Sequence, residues 1–272
     1  MTSPARAAPH GASAEGVLPS FARQTFAVVQ AELHKLRRDP TELFTRSVQP
    51  ILWLLVFGQV FTRTHAIPTG DLAYLDFMTP GVLAQSILFT SIFFGIAIIW
   101  ERDLGIVQKM LVSPAYRGAL VTGKALSAGA RALAQSVIVA LVAVALRIHL
   151  RLAPWPLAGV LAAVLVGAAV FSTFSLVVAC VVKTRERFMG IGQVLTMPLF
   201  FASNAIYPLD LMPPWLRTVA HFNPLTYLVD ALRCLMLGTA SAYGLGADFA
   251  ALVAVLLALI ALAARLYPTV AV

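Results

Sequence analysis

Long apolar runs dominate the chain, and prolines, glycines or charged residues separate them. Each run approaches the ~20 residues that a helix needs to cross a ~30 Å hydrocarbon core. The first predicted helix extends from about Pro40 to Thr62 and carries Pro50 as a predicted kink. The five later spans are predicted at Gly81 to Trp100, Ala119 to Leu150, Leu157 to Val182, Met189 to Tyr207 and Asp248 to Leu266. This pattern predicts an all-α integral membrane protein with six transmembrane helices, which together make a transmembrane domain over residues 40–272.

The residues before the first span divide into two parts. Residues 1–20 are rich in Ala, Pro, Ser and Gly and contain no continuous apolar stretch, so we expect a disordered cytosolic tail rather than a signal peptide. Over residues 21–39, apolar residues recur at spacings of three and four while the basic residues lie mostly elsewhere around the helix. That pattern predicts an N-terminal amphipathic helix at the membrane interface.

The segment between the fifth and sixth spans is too apolar for a solvated loop and too interrupted for a full span. Pro213 and Pro214 open a short amphipathic helix, and Pro224 opens a second apolar stretch that reaches Leu237. Neither piece is long enough to cross a bilayer, so we expect two re-entrant half-helices that enter one leaflet and return. Asp230 and Arg233 are three residues apart and are predicted to pair on one helix face.

Composition and charge fix the class and the orientation. Hydrophobic residues make up 60% of the chain and charged residues 12%, against about a quarter charged in soluble domains. In the predicted topology, 14 of the 20 Lys and Arg residues lie on the side of the two termini. The positive-inside rule then predicts cytosolic termini in a multi-pass protein of the cytoplasmic membrane. The net charge of +8 is thus accounted for by topology and not by nucleic-acid binding.

The chain shows no convincing catalytic, metal or nucleotide site. Gly118 to Lys124 matches G-x-x-x-x-G-K, but Ala125 replaces the Ser or Thr that binds magnesium, and no β-strand precedes the segment. Cys180 and Cys234 are predicted on opposite sides of the membrane, so no disulfide is expected. No acidic residue falls at mid-depth in a predicted span, which argues against ion-coupled transport. We therefore expect no cofactor on this chain and an energy source on a partner; a secondary transporter or membrane scaffold without an ATPase partner is the alternative.

Two segments carry a family resemblance. The turn after the second span and the start of the third contain Glu101, Arg102, Asp103, Gly105, Leu111, Ser113, Pro114, Arg117, Gly123, Lys124 and Leu126. The segment after the fifth span reads Asn204-Ala205-Ile206-Tyr207-Pro208, then Met212-Pro213, Trp215-Leu216 and Phe222-Asn223-Pro224-Leu225-Thr226-Tyr227. At these places in the topology, the chain resembles the permeases of ABC-2 type exporters.

The resemblance implies a non-catalytic permease subunit that works by alternating access. ATP and magnesium would bind to two separate ATP-binding cassette subunits, and a second permease, expected to be a copy of this chain, would complete the complex among membrane lipids. Export of a hydrophobic or amphipathic compound of drug or antibiotic type is the expected function. Export of a lipid-linked saccharide or polysaccharide by the same machinery is the alternative within the family.

The resemblance also assigns residues to roles. The contacts that couple the permease to its ATPase would be Glu101, Arg102, Asp103, Gly105, Gln108, Lys109, Ser113, Pro114 and Arg117, with a secondary cytosolic contact at Lys183, Arg185, Glu186 and Arg187. Phe and Met side chains mixed with amides and hydroxyls suit an adaptable amphipathic ligand. The expected substrate path is Gln85, Ser86, Phe89, Phe93, Met197, Phe200, Phe201 and Asn204. The outer gate would comprise Pro208, Pro213, Trp215, Asn223 and Pro224.

Overall fold

A computed structural model describes residues 41–104 and 117–266, apart from Ala66, Asp71, Leu152 and Lys183, together with seven isolated residues between 23 and 38. Those seven residues are helical, and residues 1–20 lie outside the described part. Every regular element in the described ranges is a helix. The main helices are α1 (Thr41–Leu52), α2 (Gln59–Thr64), α3 (Tyr74–Asp103), α4 (Arg117–Ala145), α5 (Pro154–Val181), α6 (Arg185–Phe201), α7 (Pro214–Phe222), α8 (Pro224–Leu237) and α9 (Leu245–Leu266).

Four of the described helices are long and apolar enough to cross a membrane: Tyr74–Ala97, Leu126–Ala145, Pro154–Val181 and Leu245–Leu266. They correspond to the predicted second, third, fourth and sixth spans, so the chain is an all-helical membrane protein. The G-x-x-x-x-G-K segment lies within the first turns of α4. A phosphate-binding loop precedes its helix, so this helical backbone agrees with the sequence argument against a nucleotide site.

The first predicted span is helical from Thr41 to Thr64, but its middle is a π-helix, Trp53–Gly58, between α1 and α2. Pro50 lies just before this segment and has no N–H to donate to the carbonyl four residues earlier. The kink at Pro50 stays a prediction, and the π-helical segment that follows it is a feature often found at functional sites.

The core forms where α3 packs against α5. The backbone N–H of Gly95 donates to Ser175 Oγ (2.9 Å), and the same hydroxyl donates to the carbonyl of Ile92 (2.5 Å). A Cβ at Gly95 would collide with Ser175 Oγ and with the ring of Phe188 from α6. Only glycine therefore lets these three helices meet at this point.

The predicted fifth span ends earlier than expected. Helix α6 stops at Phe201, and residues 202–207 form turns in place of a sixth helical turn. The Ser203 hydroxyl donates to the Phe200 carbonyl (2.7 Å), so a side chain bonds the last turn of the helix. The Tyr207 hydroxyl also bonds the Phe201 carbonyl. Beyond these turns, α7 and α8 occupy the positions predicted for the two half-helices, while their depth in a bilayer stays a prediction.

The predicted pair of Asp230 and Arg233 does not form. Arg233 is buried, lies with its guanidinium carbon 3.8 Å from the Phe77 ring centroid, and donates to the Asn204 carbonyl (2.7 Å). Asp230 Oδ2 instead lies 2.8 Å from the hydroxyl of Ser241, in the 238–244 loop. Each side chain thus finds partners on another segment, because burial demands several hydrogen bonds and a single i,i+3 contact supplies too few.

A small network joins that loop to α9. Ser241 Oγ lies 2.8 Å from Asp230 Oδ2 and 2.9 Å from Oδ2 of Asp248, while the N–H groups of Ala242 and Tyr243 donate to the same Asp230 oxygen. A serine hydroxyl has one proton, so it can donate to only one of the two carboxyl groups. Asp230 has three donors around one oxygen, whereas Asp248 Oδ1 is buried and has no hydrogen-bond partner within the described part of the chain.

Candidate functional site

A cavity of about 180 Å³ opens where α1, α3 and α6 come together. Its walls combine aromatic and thioether groups with amides, hydroxyls and one guanidinium. The lining residues are Arg46, Gln49, Pro50, Gln85, Ser86, Phe89, Thr90, Phe93, Gln193 and Met197. No acidic residue is among these described lining residues.

Two polar side chains distinguish this cavity from ordinary helix packing. Gln85 is 2% exposed, and neither its amide oxygen nor its amide nitrogen has a hydrogen-bond partner among the residues that the structure describes. A buried amide without partners costs about 1–3 kcal/mol, which a protein core normally avoids. Arg46 lies with its guanidinium carbon 4.5 Å from the centroid of the Phe93 ring. That contact uses the face of the guanidinium.

A second site lies at the Asp103 end of α3, where this helix meets the start of α6. Arg185 donates through Nε to Asp103 Oδ2 (3.1 Å), and its guanidinium carbon lies 3.9 Å from the Trp100 ring centroid. Both charged side chains are about one-third exposed. The pair therefore fixes the spacing between the two helix ends that carry the charged turns.

Comparison with known proteins decides the family. The ABC-2 type transporter family model matches residues 23–237. The chain belongs to the ABC-2 type transporter family. It is 30% identical to the Cyanophora paradoxa protein ycf38, named as a transport permease, over 79% of this chain and 74% of that protein. It is 27% identical to the daunorubicin resistance ABC transporter permease protein DrrB1 of Streptomyces coeruleorubidus, over 76% and 72%. It is 22% identical to the inner membrane transport permease YadH of Escherichia coli K12, over 76% and 80%.

Five of the eight residues predicted for the substrate path of this ABC-2 permease line the cavity: Gln85, Ser86, Phe89, Phe93 and Met197. The other three lie elsewhere. Phe200 is buried against Trp53, with ring centroids 5.7 Å apart, and Phe201 is exposed on the surface. Asn204 is buried in the turn after α6, where its carbonyl accepts from Arg233.

The predicted ATPase contacts fall largely at and beyond the end of α3. Glu101 and Arg102 lie in its last turn and Arg117 begins α4, but only the backbone of these three residues is described. Gly105, Gln108, Lys109, Ser113 and Pro114 lie outside the described residues, as does Lys183. Glu186 and Arg187 are exposed in the first turn of α6. The structure thus brings together one residue from each predicted contact, Asp103 and Arg185.

The predicted gate residues mark the starts of the short helices. Pro208 precedes a 3₁₀ turn, Pro213 precedes α7, and Trp215 in the first turn of α7 is 68% exposed. Asn223 caps α8 by accepting from the Leu225 N–H (3.0 Å), with Pro224 at the first helical position. The Asn223 amide nitrogen also donates to the carbonyls of Leu199 (2.6 Å) and Ala202 (3.1 Å). Asn223 therefore ties the end of α6 to the start of α8.

Two tyrosines hold α7 against its neighbours. The Tyr227 hydroxyl donates to the His221 carbonyl (2.7 Å), and the Tyr243 hydroxyl lies 2.6 Å from His221 Nδ1. Burial raises the pKa of the Tyr243 phenol, so this group keeps its proton at neutral pH and can donate to the imidazole. Together these bonds join α7, α8 and the 238–244 loop.

Five residues of the cavity wall are absent from the predicted substrate path: Thr90 of α3, Gln193 of α6, and Arg46, Gln49 and Pro50 of α1. The charge of Arg46 was counted toward the topology, and Pro50 was predicted only as a kink. The available signal was their spacing, because Arg46 and Gln49 are three apart and share one helix face in an otherwise apolar run. A polar pair on one face of a predicted membrane helix is better interpreted as lining a cavity.

Proposed function

We propose that this chain is the permease subunit of an ATP-driven exporter. It moves a hydrophobic or amphipathic compound of drug or antibiotic type outward across the cytoplasmic membrane, with both termini in the cytosol. The supporting observation is the cavity between α1, α3 and α6, which mixes aromatic, thioether and amide groups in a chain of the ABC-2 family. The relative named for daunorubicin resistance supports a drug-like substrate.

The size of the cavity bears on how the substrate moves. Pockets for drug-sized ligands usually measure about 300–1,000 Å³, so about 180 Å³ holds only part of such a molecule. Transport therefore requires widening of this cavity or completion by a second permease. We propose a homodimer working by alternating access, with two ATP-binding cassette subunits that bind and hydrolyse ATP with magnesium.

In this proposal, the charged residues at the ends of α3 and α6 transmit the ATPase motion. The Asp103–Arg185 pair supports that role because it links the predicted coupling contact to the predicted secondary contact. A displacement of either helix end would therefore be transmitted to the other. The α3 helix also lines the cavity through Gln85 and Phe93. One rigid helix thus connects the ATPase contact to the substrate site.

Purification of the tagged chain from its native membrane in mild detergent tests the proposal. Mass spectrometry should find a stoichiometric ATP-binding subunit, and the complex should hydrolyse ATP with sensitivity to vanadate. Daunorubicin and a lipid-linked saccharide, added separately, distinguish the two substrate types by which one stimulates hydrolysis. Absence of an ATP-binding subunit would refute the proposal and favour a secondary transporter or scaffold.

A charge-reversal variant tests the coupling residues in the same complex. Glu101→Lys combined with Asp103→Lys should leave the protein inserted but abolish stimulation of ATP hydrolysis by substrate, because the acidic contacts become repulsive. The matched control is Asp210→Lys, since Asp210 is a highly exposed carboxylate far along the chain whose ion pair, among the described residues, is with Arg217 at the surface. Unchanged stimulation in the double variant would contradict the coupling assignment.

A further inference from the structure

Two buried carboxyl groups meet where the 238–244 loop folds back over α8 and reaches α9. Gly238 follows the last residue of α8 with a φ of 78° and reverses the direction of the chain. The loop thereby places Ser241 beside Asp230, about two turns before the end of α8, and beside Asp248 in the first turn of α9. Asp230 is 4% exposed and Asp248 is 0% exposed, so bulk water stabilises neither charge.

The hydrogen bonds around Ser241 Oγ determine where protons lie in this cluster. The oxygen accepts from the Gly244 N–H (2.7 Å) and lies 2.8 Å from Asp230 Oδ2 and 2.9 Å from Asp248 Oδ2. Asp230 Oδ2 also accepts from two backbone N–H groups of the loop, and these donors favour its ionised form. The hydroxyl therefore donates its one proton to Asp230. Its contact with Asp248 is then a hydrogen bond only if Asp248 is the donor and carries a proton.

The second oxygen of Asp248 indicates the same protonation state. Oδ1 is buried and has no hydrogen-bond partner among the described residues. A buried carboxylate needs donors on both oxygens, whereas a protonated carboxyl group carries no net charge to stabilise. The first turn of a helix favours a carboxylate, but this effect is smaller than the cost of burying a charge without donors. Asp230 adds a like charge within ~4–6 Å, which also disfavours ionisation of Asp248.

Neighbouring groups do not supply a counter-charge for Asp248. Helices α5 and α8 pack against α9, and α5 contains no charged residue. The titratable or charged groups of the surrounding segments are Asp76 of α3, His149 and Arg151 before α5, Arg217 and His221 of α7, Tyr227, Arg233 and Cys234 of α8, and Tyr243 of the loop. Arg233 bonds the Asn204 carbonyl and Arg217 pairs with Asp210. Within the described part of the chain, no ion pair includes Asp248.

We infer that Asp230 and Asp248 bind one proton between them, and that this proton closes the 238–244 loop onto α9. The proton lies on Asp248 Oδ2 and is donated to Ser241 Oγ, whose own proton is donated to Asp230 Oδ2. Release of the proton to water at higher pH leaves two carboxylates facing one hydroxyl, so one hydrogen bond is lost and the like charges repel.

The donor set of the site favours a proton over a metal ion. Three donors already surround Asp230 Oδ2, so this oxygen has little capacity left for a cation. Among the described residues, no group of three or more His, Cys, Asp or Glu side chains is arranged to hold a metal. The inferred proton site goes beyond the proposed transport function and does not depend on it.

Infrared difference spectroscopy of the full-length chain in lipid nanodiscs measures this proton directly, because the C=O stretch of a protonated carboxyl group is resolved from the bands of a carboxylate. Carboxyl groups with ordinary pKa values are ionised above about pH 6. Between about pH 6 and about pH 9, the wild type should lose one protonated-carboxyl band, and Asp248→Asn should show no such loss. Asp210→Asn is the matched control, since it removes an exposed carboxylate and should behave as wild type. A wild type without this band, or a band that persists in Asp248→Asn, would overturn the inference.

Asp230→Asn tests whether the two carboxyl groups titrate as a pair. Removal of the like charge should move the midpoint of the Asp248 band to lower pH by about 1 unit or more, because a neutral neighbour disfavours ionisation less. A purely structural contact between the two side chains would leave the midpoint unchanged. That result would contradict a shared proton.

Hydrogen exchange tests whether the proton closes the loop. The backbone N–H groups of Ala242, Tyr243 and Gly244 bond the cluster, so their protection reports its integrity. After correction for the intrinsic exchange rate, protection should fall at least about tenfold over the same pH range in wild type, as expected for loss of a charge-assisted hydrogen bond. It should change less than about twofold in Asp248→Asn. An equal fall in both proteins would overturn the role of the proton in closing the loop.

Discussion

Substituting Gly81 by Ala tests how tightly α3 packs against the turn that follows α6. A Cβ at this position would lie 2.8 Å from both Cα and the carbonyl carbon of Ala205, and closer still to its carbonyl oxygen. These are backbone atoms, so no side-chain rotation relieves the contact. Carbon atoms pack best at about 3.5–4.0 Å, and Gly81→Ala therefore requires a relative shift of about 1 Å.

The loss in the free energy of unfolding that this shift causes can be estimated from the contacts of the displaced turn. Overpacking costs about 1–3 kcal/mol. The displaced turn also carries the Asn204 carbonyl, which accepts from Arg233, and the Ile206 carbonyl, which accepts from Tyr74 (3.0 Å). Weakening these buried bonds adds about 1 kcal/mol or more, against a gain of about 1 kcal/mol in helix propensity from Gly to Ala. The net expectation is a loss of about 1–3 kcal/mol.

Gly190 in α6 provides the matched control, because it is exposed and a Cβ there would meet no atom of the described residues within 4 Å. Thermal unfolding in detergent can be followed with a thiol-reactive fluorophore, since Cys180 is buried and Cys234 is partly buried. At about 2–4 °C per kcal/mol for a chain of this size, Gly81→Ala should lower Tm by about 2–12 °C. Gly190→Ala should leave Tm unchanged or raise it by a few degrees. A rise in Tm for both variants would refute the reasoning.

Two further contacts give predictions for the same assay. Arg185→Ala should lower Tm by a few degrees, because it removes an exposed ion pair of about 0.2–1 kcal/mol and a stack on Trp100 of about 0.5–1 kcal/mol; full rescue by Arg185→Lys would contradict a role for the stack. Asp230→Asn should lower Tm because three donors lose a charged acceptor, whereas Asp248→Asn should be neutral or stabilising because its amide can donate to Ser241. The opposite order for the two Asn variants would refute this assignment of the serine proton.

Helix positions were readable from the sequence because membrane spans need long apolar runs. The runs that became α3, α5 and α9 begin and end within a few residues of their predicted bounds, apart from the first turns of α3. The end of α6 was wrong by six residues, since the Ser203 and Tyr207 hydroxyls that bond its last carbonyls cannot be told from other polar residues in an apolar segment. Local pattern thus predicts where helices lie better than where their last turns close.

Contacts between segments distant in sequence were much harder to predict. Spacing alone paired Asp230 with Arg233, yet Arg233 bonds the turn after α6 and Asp230 bonds the 238–244 loop. Five residues of the cavity were predicted on the two helices that the family resemblance indicated, but Arg46 was missed because its charge already had an explanation in the topology. A residue that satisfies a sequence rule can still serve a site, and only the three-dimensional arrangement distinguishes the two.

Hydrogen bonds of Ser175 with Gly95 and Ile92 join α3 to α5, and Phe188 of α6 packs against the same point. A helix pair bonded through backbone and side chain in a closely packed core moves as one rigid body. In the proposed exporter, we then expect the first span to be the cavity wall that moves, because its outer side is exposed through Val48, Leu52 and Val56. Lipid chains are fluid and offer little resistance to such a displacement. In the proposed exporter, we therefore expect a substrate to enter from the side, between the lipid and the first span, with this span bending at its π-helical segment.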